Sequence, residues 1–285
     1  MIDLHTHTTA SDGRCTPVEL VARAAAAGVT VLSVTDHDTV DACQAVDAAC
    51  VLARITFVPG IEITAVRDEV DVHLLGYFID AGSSELRVFL AEQRQRRLDR
   101  VGRIIVQLET LGLHLDANAI LRPAIDRPGT SIGRPAVARA LVAAGYVKTS
   151  NEAFTSWLSR GRPGFVPREG AAPDNVIAQI HDAGGIASLA HPGLLRRDEW
   201  IAGFAASGLD AIEAYHTNHD EEATGRYRST AHRLGLGISG GSDYHADQSH
   251  GSASPGSVSL PAGAFDQLRD RATSRATASG AGTSS

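Results

Sequence analysis

Apolar and amphipathic segments alternate over both ends of the chain, and this alternation predicts strands that are each followed by a helix. A near-continuous apolar run, such as residues 29–35, is typical of a parallel strand buried on both faces. Thr16, Pro17 and Glu19 form a capping-box pattern with a proline at the first helical position, so we expect a helix to begin there. The segments that fit strands are residues 2–7, 29–35, 56–63, 70–78, 185–190, 211–215 and 236–239.

The alternation stops between residues 83 and 170, where the pattern is helical and richer in charge. We interpret this segment as a helical insertion that caps an α/β domain. Seven strands with helices between most of them favour a parallel α/β barrel over an open sheet. Residues 1–82 and 171–270 are then predicted to form the barrel. Residues 271–285, which are rich in Ser, Ala, Gly and Thr, are predicted to be a disordered tail.

The composition limits which classes of partner this protein is expected to bind. The 285 residues are 43% hydrophobic and carry 26 basic against 33 acidic side chains, a net charge of −7. Such a chain lacks the basic surface that stable binding of duplex nucleic acid needs. No apolar stretch approaches the roughly 18 residues of a membrane span, so we expect no membrane contact. The three cysteines form no C-x-x-C pair and the start shows no signal-peptide pattern, which favours a reducing cytoplasm.

The predicted strands carry side chains that bind metals. His5 and His7 are two residues apart, so on a strand both point to the same side, and the same holds for Asp243 and His245. In a parallel barrel the carboxyl ends of the strands meet at one face, where active sites are built. The His, Asp and Glu side chains on or just beyond these strands include His5, His7, Asp12, Asp36, His37, Glu62, His73, His191, Glu213, His216, Asp243 and His245.

A metal centre explains this pattern better than coincidence does. A single histidine at a strand end is more often a hydrogen-bonded residue of the core or rim than a ligand. Nine matching positions, however, exceed the three or four ligands that one zinc ion needs, and with a bridging carboxylate they support two or three ions. Mixed imidazole and carboxylate ligands suit Zn²⁺, Mn²⁺ or Fe²⁺ and disfavour Ca²⁺.

The motifs that contain these residues resemble, in order and spacing, those of the PHP (polymerase and histidinol phosphatase) family of metallophosphoesterases. The resemblance covers nearly the whole chain. Within the family, the chain resembles stand-alone bacterial members that act on nucleotides, because their helical insertion carries a pattern similar to residues 132–135 and 161–166. The barrel motifs are His5-Thr6-His7 with Asp12, Thr35-Asp36-His37-Asp38, Gly60-Ile61-Glu62, His73, Ala190-His191-Pro192 and Gly241-Ser242-Asp243-Tyr244-His245.

The resemblance implies a distorted seven-stranded α/β barrel that holds a trinuclear site of Mn²⁺, Fe²⁺ or Zn²⁺. A metal-bound hydroxide near Glu62 is the implied nucleophile. Three divalent ions, three carboxylates and one hydroxide sum to about +2, which favours a dianionic phosphate. The implied ligand sets are His5, His7, Glu62 and Asp243 for one ion, bridging Glu62 with His73 and His191 for a second, and Asp12, His37 and His245 for a third.

Two further residues are candidates for substrate binding. The resemblance favours Arg134, at the start of a predicted helix, as a phosphate ligand over the barrel mouth, whereas sequence alone fits a solvated arginine equally well. His216 is expected to bind phosphate or act as a general acid, and a histidine of the rim is the alternative. The arginines between Arg94 and Arg103 fit a solvated helix face, although they could steer a nucleic-acid end. We expect Asp36 to support the ligands rather than bind an ion.

The leading hypothesis, from the resemblance, is a metal-dependent phosphoesterase that acts on nucleotides. The implied substrate is a nucleoside 3′,5′-bisphosphate that loses its 3′-phosphate, with mononucleotides such as AMP and short RNA degraded 5′ to 3′ as further substrates. A histidinol-phosphate phosphatase is the second hypothesis, and the insertion with Arg134 disfavours it because it suggests a larger substrate. A metal-binding regulatory module without turnover is the third, and its mark would be an incomplete ligand set.

Overall fold

Seven strands form one sheet whose spatial order is their order in the chain. The last strand lies beside the first, because the Leu4 N–H donates to the Gly240 carbonyl at 3.2 Å and the His7 N–H to the Tyr244 carbonyl at 2.9 Å. The result is a nearly closed barrel, which confirms the predicted fold class. The computed structural model describes residues 1–127, 129–247 and 253–281. The strands are β1 (Ile2–Asp3), β2 (Val31–Val34), β3 (Thr56–Arg67), β4 (Val70–Tyr77), β5 (Ile186–Leu189), β6 (Ala211–His216) and β7 (Gly237–Gly241).

β4 runs antiparallel to both of its neighbours, so the prediction of an all-parallel barrel was wrong at this strand. Only Asp68 and Glu69 connect β3 to β4, and they adopt positive φ angles of 50° and 60°. Such a connection closes a hairpin, because a parallel crossover needs about a dozen residues or more. β3 and β4 extend together beyond the strands beside them, and His73 lies opposite Thr64 in this hairpin rather than at a strand end.

Helices flank the barrel strands and build the insertion. The predicted capping box at the start of α1 (Pro17–Ala26) is present: the Thr16 hydroxyl accepts from the Glu19 N–H at 3.4 Å, and the Glu19 carboxylate accepts from the Thr16 N–H at 2.8 Å. Among the described residues, no helix is long and apolar enough to cross a membrane. The other helices are α2 (Cys43–Ala53), α3 (Ser84–Thr110), α4 (Ala117–Asp126), α5 (Arg134–Ala143), α6 (Ser150–Ala153), α7 (Pro173–Asp182), α8 (Pro192–Leu195), α9 (Ile201–Ala206), α10 (Glu221–Arg233) and α11 (Ala262–Ala281).

The insertion has a hydrophobic core of its own beside that of the barrel. Ile104, Val137 and Leu158 are buried in it, among the helices from α3 to α6 and the turn that follows. The insertion meets the polar end of the barrel, where the Ser131 N–H donates to the Ala10 carbonyl at 2.9 Å. This contact holds the start of α5 beside the loop that follows β1.

The last described segment is helical rather than disordered. Because α11 extends through residues 271–281, the predicted tail was wrong there, and residues 282–285 lie outside the described part of the chain. Ala272 is buried against the barrel, and Arg275 donates to the Asp210 carboxylate at 3.0 Å. Ala272, one of the small residues that suggested disorder, instead lets this face of the helix pack on the barrel.

Replacing Thr273 by proline tests this helix. Thr273 lies on the exposed face of α11, and proline there removes a backbone donor and clashes with the Arg269 carbonyl. We expect Thr273→Pro to lower the free energy of unfolding by up to about 3 kcal/mol, measured by urea denaturation. The control, Thr273→Ala, should change it by less than about 0.5 kcal/mol. Equal stability of the two variants would contradict a docked helix.

Candidate active site

The nine predicted metal ligands and His216 lie in one cluster at the polar end of the barrel. Their donor atoms form four overlapping groups, and within each group all atoms lie within 4.8 Å of one another. The cluster is mostly buried, and His73 is its most open ligand, with 24% of its side chain exposed. The groups are His7, Asp12, His37 and His245; His5, His216 and Asp243; His5, Glu62 and His191; and His37, Glu62 and His73.

Glu62, on β3, is the centre of the cluster, because its two carboxylate oxygens face different sets of histidines. Oε1 lies 2.6 Å from His73 Nδ1 and 3.1 Å from His191 Nε2. Oε2 lies 3.4 Å from His5 Nε2 and 3.2 Å from His7 Nε2. A carboxylate with one oxygen toward each set has the geometry of a bridging ligand.

Two more carboxylates flank this bridge. Asp243 Oδ1 lies 3.3 Å from Nε2 of both histidines that follow β1. Asp12 Oδ1 lies 3.3 Å from His245 Nε2, and Asp12 Oδ2 lies 3.8 Å from His37 Nε2. The contacts join all nine side chains in one cluster, and they overlap the three sets that the resemblance implies without separating them: His7 also groups with Asp12, His37 and His245, and His37 with Glu62 and His73.

Several buried polar atoms of the cluster find no hydrogen-bond partner in the described part of the protein. They are both ring nitrogens of His7, Oδ1 of Asp12 and Nδ1 of His37, whose short contacts with charged neighbours lack hydrogen-bond geometry. Each unpaired buried group of this kind costs about 1–3 kcal/mol, so the cluster is incomplete without bound cations. Imidazole nitrogen and carboxylate oxygen are ligands that Zn²⁺, Mn²⁺ and Fe²⁺ accept. The residues present therefore fit divalent metal ions.

The carboxylates of the cluster are held in their ionised form. Burial by itself would raise the pKa of Glu62, but His37 and His73 outweigh it and hold that pKa well below its usual range. The pKa values of Asp12 and Asp243 are lowered well below the usual range in the same way, by neighbouring histidines that outweigh burial. This concentration of buried negative charge favours cation binding.

Hydrogen bonds from neighbouring residues orient the ligands. Glu213, on β6, accepts from His5 Nδ1 at 2.9 Å and from the His191 backbone N–H at 2.7 Å, so His5 Nε2 faces the cluster. Sequence analysis gave Glu213 no role, although its place among the polar residues of β6 was a signal. Asp36 accepts from the Thr8 N–H at 2.8 Å and from its hydroxyl at 2.6 Å, which is the supporting position expected for it.

His216, at the end of β6, lies at the edge of the cluster. Its Nδ1 accepts from the Asn218 N–H at 3.1 Å, so the neutral ring carries its proton on Nε2. Nε2 lies 3.4 Å from Asp243 Oδ2. With its proton on Nε2, His216 can donate a hydrogen bond toward the cluster, and its donor atom also lies in one of the four groups that could hold a metal ion.

A cavity of about 220 Å³ lies between the metal cluster and the insertion. Asp12, His37 and His73 of the cluster form part of its wall, so the cavity and the cluster are adjacent. The opposite wall comes from the insertion and the loop before α7, and it is strongly cationic. The basic residues that line the cavity are Arg97, Arg100, Arg134 and Arg168.

Arg134 shares one carboxylate with a second arginine of this wall. Its Nη2 donates to Asp71 Oδ2 at 2.8 Å, and Arg100 Nη1 donates to the same oxygen at 3.3 Å. Burial opposes ionisation of Asp71, but Arg134 and Arg100 outweigh it and hold the Asp71 pKa below its usual range.

The prediction of a solvated helix face was wrong for Arg97 and Arg100. Their side chains are 7% and 5% exposed, because this face of α3 packs toward the hairpin.

Arg168 is a cavity residue that sequence analysis missed. It lies in the loop before α7, where no periodicity marks it, and its side chain is 5% exposed. Its Nη2 donates to Asp38 Oδ2 at 2.9 Å, and Arg97 Nε donates to the same oxygen. As at Asp71, two cations share one carboxylate, and the wall therefore retains positive charge.

No cysteine of the chain belongs to this cluster. Cys15, Cys43 and Cys50 are buried in the hydrophobic core. Burial raises the pKa of Cys43 to about 12 and that of Cys50 to about 11. The thiolate is the nucleophilic form of cysteine, so these side chains do not fit covalent catalysis.

Comparisons with known proteins agree with this site. A model of the PHP domain matches residues 3–127. A 3′,5′-nucleoside bisphosphate phosphatase of Chromobacterium violaceum is 34% identical over 252 residues, which cover 86% of this chain and 87% of the relative. The chain belongs to the PHP family. It is a metal-dependent hydrolase of phosphate esters, which confirms the predicted enzyme class against a module without turnover.

Other comparisons extend along most of this PHP chain. A 5′-3′ exoribonuclease Rnm of Salmonella typhimurium is 37% identical, with 85% of this chain and 84% of the relative covered. The solved structure of an amidohydrolase from Chromobacterium violaceum has a TM-score of 0.84 and 32% identity, with 95% of this chain and 96% of that chain covered. The similarity therefore includes the insertion as well as the barrel.

Divalent metal should stabilise the protein through the cluster. Ions that bind only the native state stabilise it by mass action, by about 2.7 kcal/mol per site at 100 times Kd. We expect Mn²⁺ added to chelator-treated protein to raise Tm by several degrees, at about 2–4 °C per kcal/mol. His7→Ala should lose most of this shift, whereas His114→Ala, at a side chain that is 73% exposed, should keep it. An undiminished shift in His7→Ala would contradict the assignment.

Proposed function

We propose that the protein hydrolyses phosphate monoesters of nucleotides, and that its main substrate is a nucleoside 3′,5′-bisphosphate that loses its 3′-phosphate. Mononucleotides such as AMP and the 5′ ends of short RNA are further substrates in this proposal. The observation that carries it is the cationic cavity beside the metal cluster. Two adjacent sites for anions fit a substrate that carries two phosphates.

In this proposal three divalent ions, each Mn²⁺, Fe²⁺ or Zn²⁺, bind in the cluster, and Glu62 bridges two of them. The contacts of its two oxygens with separate sets of histidines support this role. When bound, such ions lower the pKa of a bound water, orient the phosphate and neutralise charge on its oxygens. The proposed ligands are His5, His7, Asp12, His37, Glu62, His73, His191, Asp243 and His245.

The cavity has the charge that a second phosphate needs. Its four arginines carry four positive charges, and the carboxylates of Asp38 and Asp71 that pair with them carry two negative charges, which leaves a net of +2. Arg134 is the most open of the four, with 25% of its side chain exposed. Because a guanidinium binds phosphate bidentately, we assign Arg134 as the main contact to the second phosphate.

His216 is the proposed hydrogen-bond donor to the phosphate at the cluster. Its neutral ring carries the proton on Nε2, because Nδ1 accepts from the Asn218 N–H. Nε2 faces the cluster near Asp243, so it can donate a hydrogen bond to a phosphate held there. A neutral imidazole is too weak an acid to release this proton, so the geometry supports phosphate binding by His216 over general acid catalysis.

The relatives support the substrate class. They are named as a 3′,5′-nucleoside bisphosphate phosphatase and a 5′-3′ exoribonuclease. A nucleoside 3′,5′-bisphosphate carries the same two groups as the first nucleotide of a 5′-phosphorylated RNA, namely a 5′-phosphate and a phosphate on the 3′-oxygen. One arrangement, with the 5′-phosphate in the cavity and the 3′-phosphorus at the metal cluster, therefore serves both substrates.

Histidinol phosphate fits the cavity less well. Its amine is protonated at neutral pH, and four arginines line the space that it would occupy. Two unlike charges attract and two like charges repel most strongly where water is excluded. The cavity therefore favours a second anion over a cation.

Glu62→Gln should abolish phosphate release, because an amide cannot supply the charge that bridges two cations. The substitution conserves volume, so the metal-free variant should stay folded. The assay measures phosphate released from nucleoside bisphosphates, AMP, short RNA and histidinol phosphate, together with metal content by elemental analysis. We expect about three metal equivalents in the wild type and a preference for bisphosphates. Fewer than two equivalents, or near wild-type activity in the variant, would contradict the proposal.

Arg134→Ala should reduce kcat/KM for a nucleoside 3′,5′-bisphosphate by roughly 10- to 150-fold. A charged hydrogen bond contributes on the order of 1.5–3 kcal/mol, and about 1.4 kcal/mol is a factor of ten. Hydrolysis of p-nitrophenyl phosphate, which has no second phosphate, should change much less. The control is Arg103→Ala, at an α3 arginine that is 47% exposed and pairs with Glu169. An equal loss on both substrates would place Arg134 at the reacting phosphate instead.

A further inference from the structure

Phe154 is the one carbocyclic aromatic residue among the described residues that line the cationic cavity. The other lining residues are charged or small, apart from the imidazoles of the metal cluster, Val101 and Pro135. In the proposed function, the metal cluster and the arginines bind the phosphates of the substrate. A nucleotide also carries a flat, apolar base, and the cavity offers one matching surface for it.

The backbone around Phe154 holds its ring at the cavity. Helix α6 continues into a π-helical turn (Phe154–Leu158), which closes with the Ser159 N–H donating to the Phe154 carbonyl at 2.9 Å. Ala153 and Leu158, on either side, are fully buried in the core of the insertion, whereas Phe154 is only partly buried. A π-helical turn is a common local distortion at functional sites, and here it places one aromatic ring between the core of the insertion and the cavity.

Phe154 lies next to the proposed phosphate ligand. The guanidinium carbon of Arg134 is 5.9 Å from the centre of the Phe154 ring. One nucleotide can therefore place its phosphate on Arg134 and its base against Phe154.

We propose that Phe154 is the nucleobase contact of the active site, and that its ring stacks on the base of the bound nucleotide. This inference rests on the proposed function and adds a specificity-determining residue to it. Every base has a π face, so such a contact selects nucleotides over other phosphate esters without selecting one base. Stacking of one base on an aromatic side chain changes affinity by about 5- to 150-fold.

Phe165 provides a matched control. It also belongs to the insertion, is also partly buried and also has an arginine beside it, since the guanidinium carbon of Arg100 is 5.8 Å from its ring centre. Unlike Phe154, it does not line the cavity. The two phenylalanines therefore differ in access to the substrate and not in their kind of neighbour.

The experiment compares two substrates in the metal-loaded wild type, Phe154→Leu, Phe154→Tyr and Phe165→Leu. One substrate is a nucleoside 3′,5′-bisphosphate, and the other is the same sugar bisphosphate without its base. We expect Phe154→Leu to lower kcat/KM about 5- to 150-fold for the first substrate and much less for the second. Phe154→Tyr, which keeps the ring, should restore most of the loss, and Phe165→Leu should leave both substrates near wild type. Thermal melting verifies that each variant is folded.

Calorimetric titration with a nucleoside 5′-monophosphate, in proteins that also carry the inactivating substitution Glu62→Gln, gives a second readout that does not depend on turnover. Phe154→Leu should weaken this binding by the same factor, while titration with ribose 5-phosphate should give similar values in both proteins. Equal losses with and without the base would overturn the inference and make Phe154 a support for Arg134. No loss on either substrate would also overturn it. If the wild type itself fails to hydrolyse the bisphosphate, the proposed function fails, and this outcome is visible before any variant is compared.

Discussion

A cluster of ionised side chains buried at one end of the barrel is the constraint on which the rest of this structure depends. Glu62 is 1% exposed, and Asp12 and Asp243 are buried beside it. Charges removed from water cost several kcal/mol each unless they are paired. The histidines pair these carboxylates only in part. Both ring nitrogens of His7, for example, make no hydrogen bond to the carboxylates around them. The fold thus places the nine proposed metal ligands, from six strands or their ends, in one cluster that fits divalent cations.

The antiparallel strand β4 connects this cluster to the insertion. His73 and Asp71 are two residues apart on β4, so their side chains leave the same face of the hairpin. His73 contacts Glu62, and Asp71 pairs with Arg134 and Arg100. One short stretch of strand therefore supplies a histidine to the cluster and pairs with two arginines of the neighbouring cavity, which keeps the two proposed anion sites in a defined relation.

The charge of the site is local and differs in sign from that of the chain. The protein has a net charge of −7, yet the cavity collects four arginines and shares only two carboxylates among them. These pairs hold each guanidinium in place before a ligand arrives, which reduces the ordering that binding requires. A small anion that enters the cavity meets this positive charge, whereas an extended duplex would meet an acidic surface.

Sequence alone predicted which side chains gather at the polar end of the barrel, because their residue types and their places on or just beyond the strands mark them. It also predicted the capping box of α1, which depends on four consecutive residues. Only the tertiary structure decided the direction of β4, because the hydrophobic pattern of a strand reads the same in either direction. It also decided the burial of Arg97, Arg100 and Arg168, which depends on carboxylates from distant segments. The helix over residues 271–281 is held to the barrel by buried Ala272 and by the pair of Arg275 with Asp210, contacts that composition does not record.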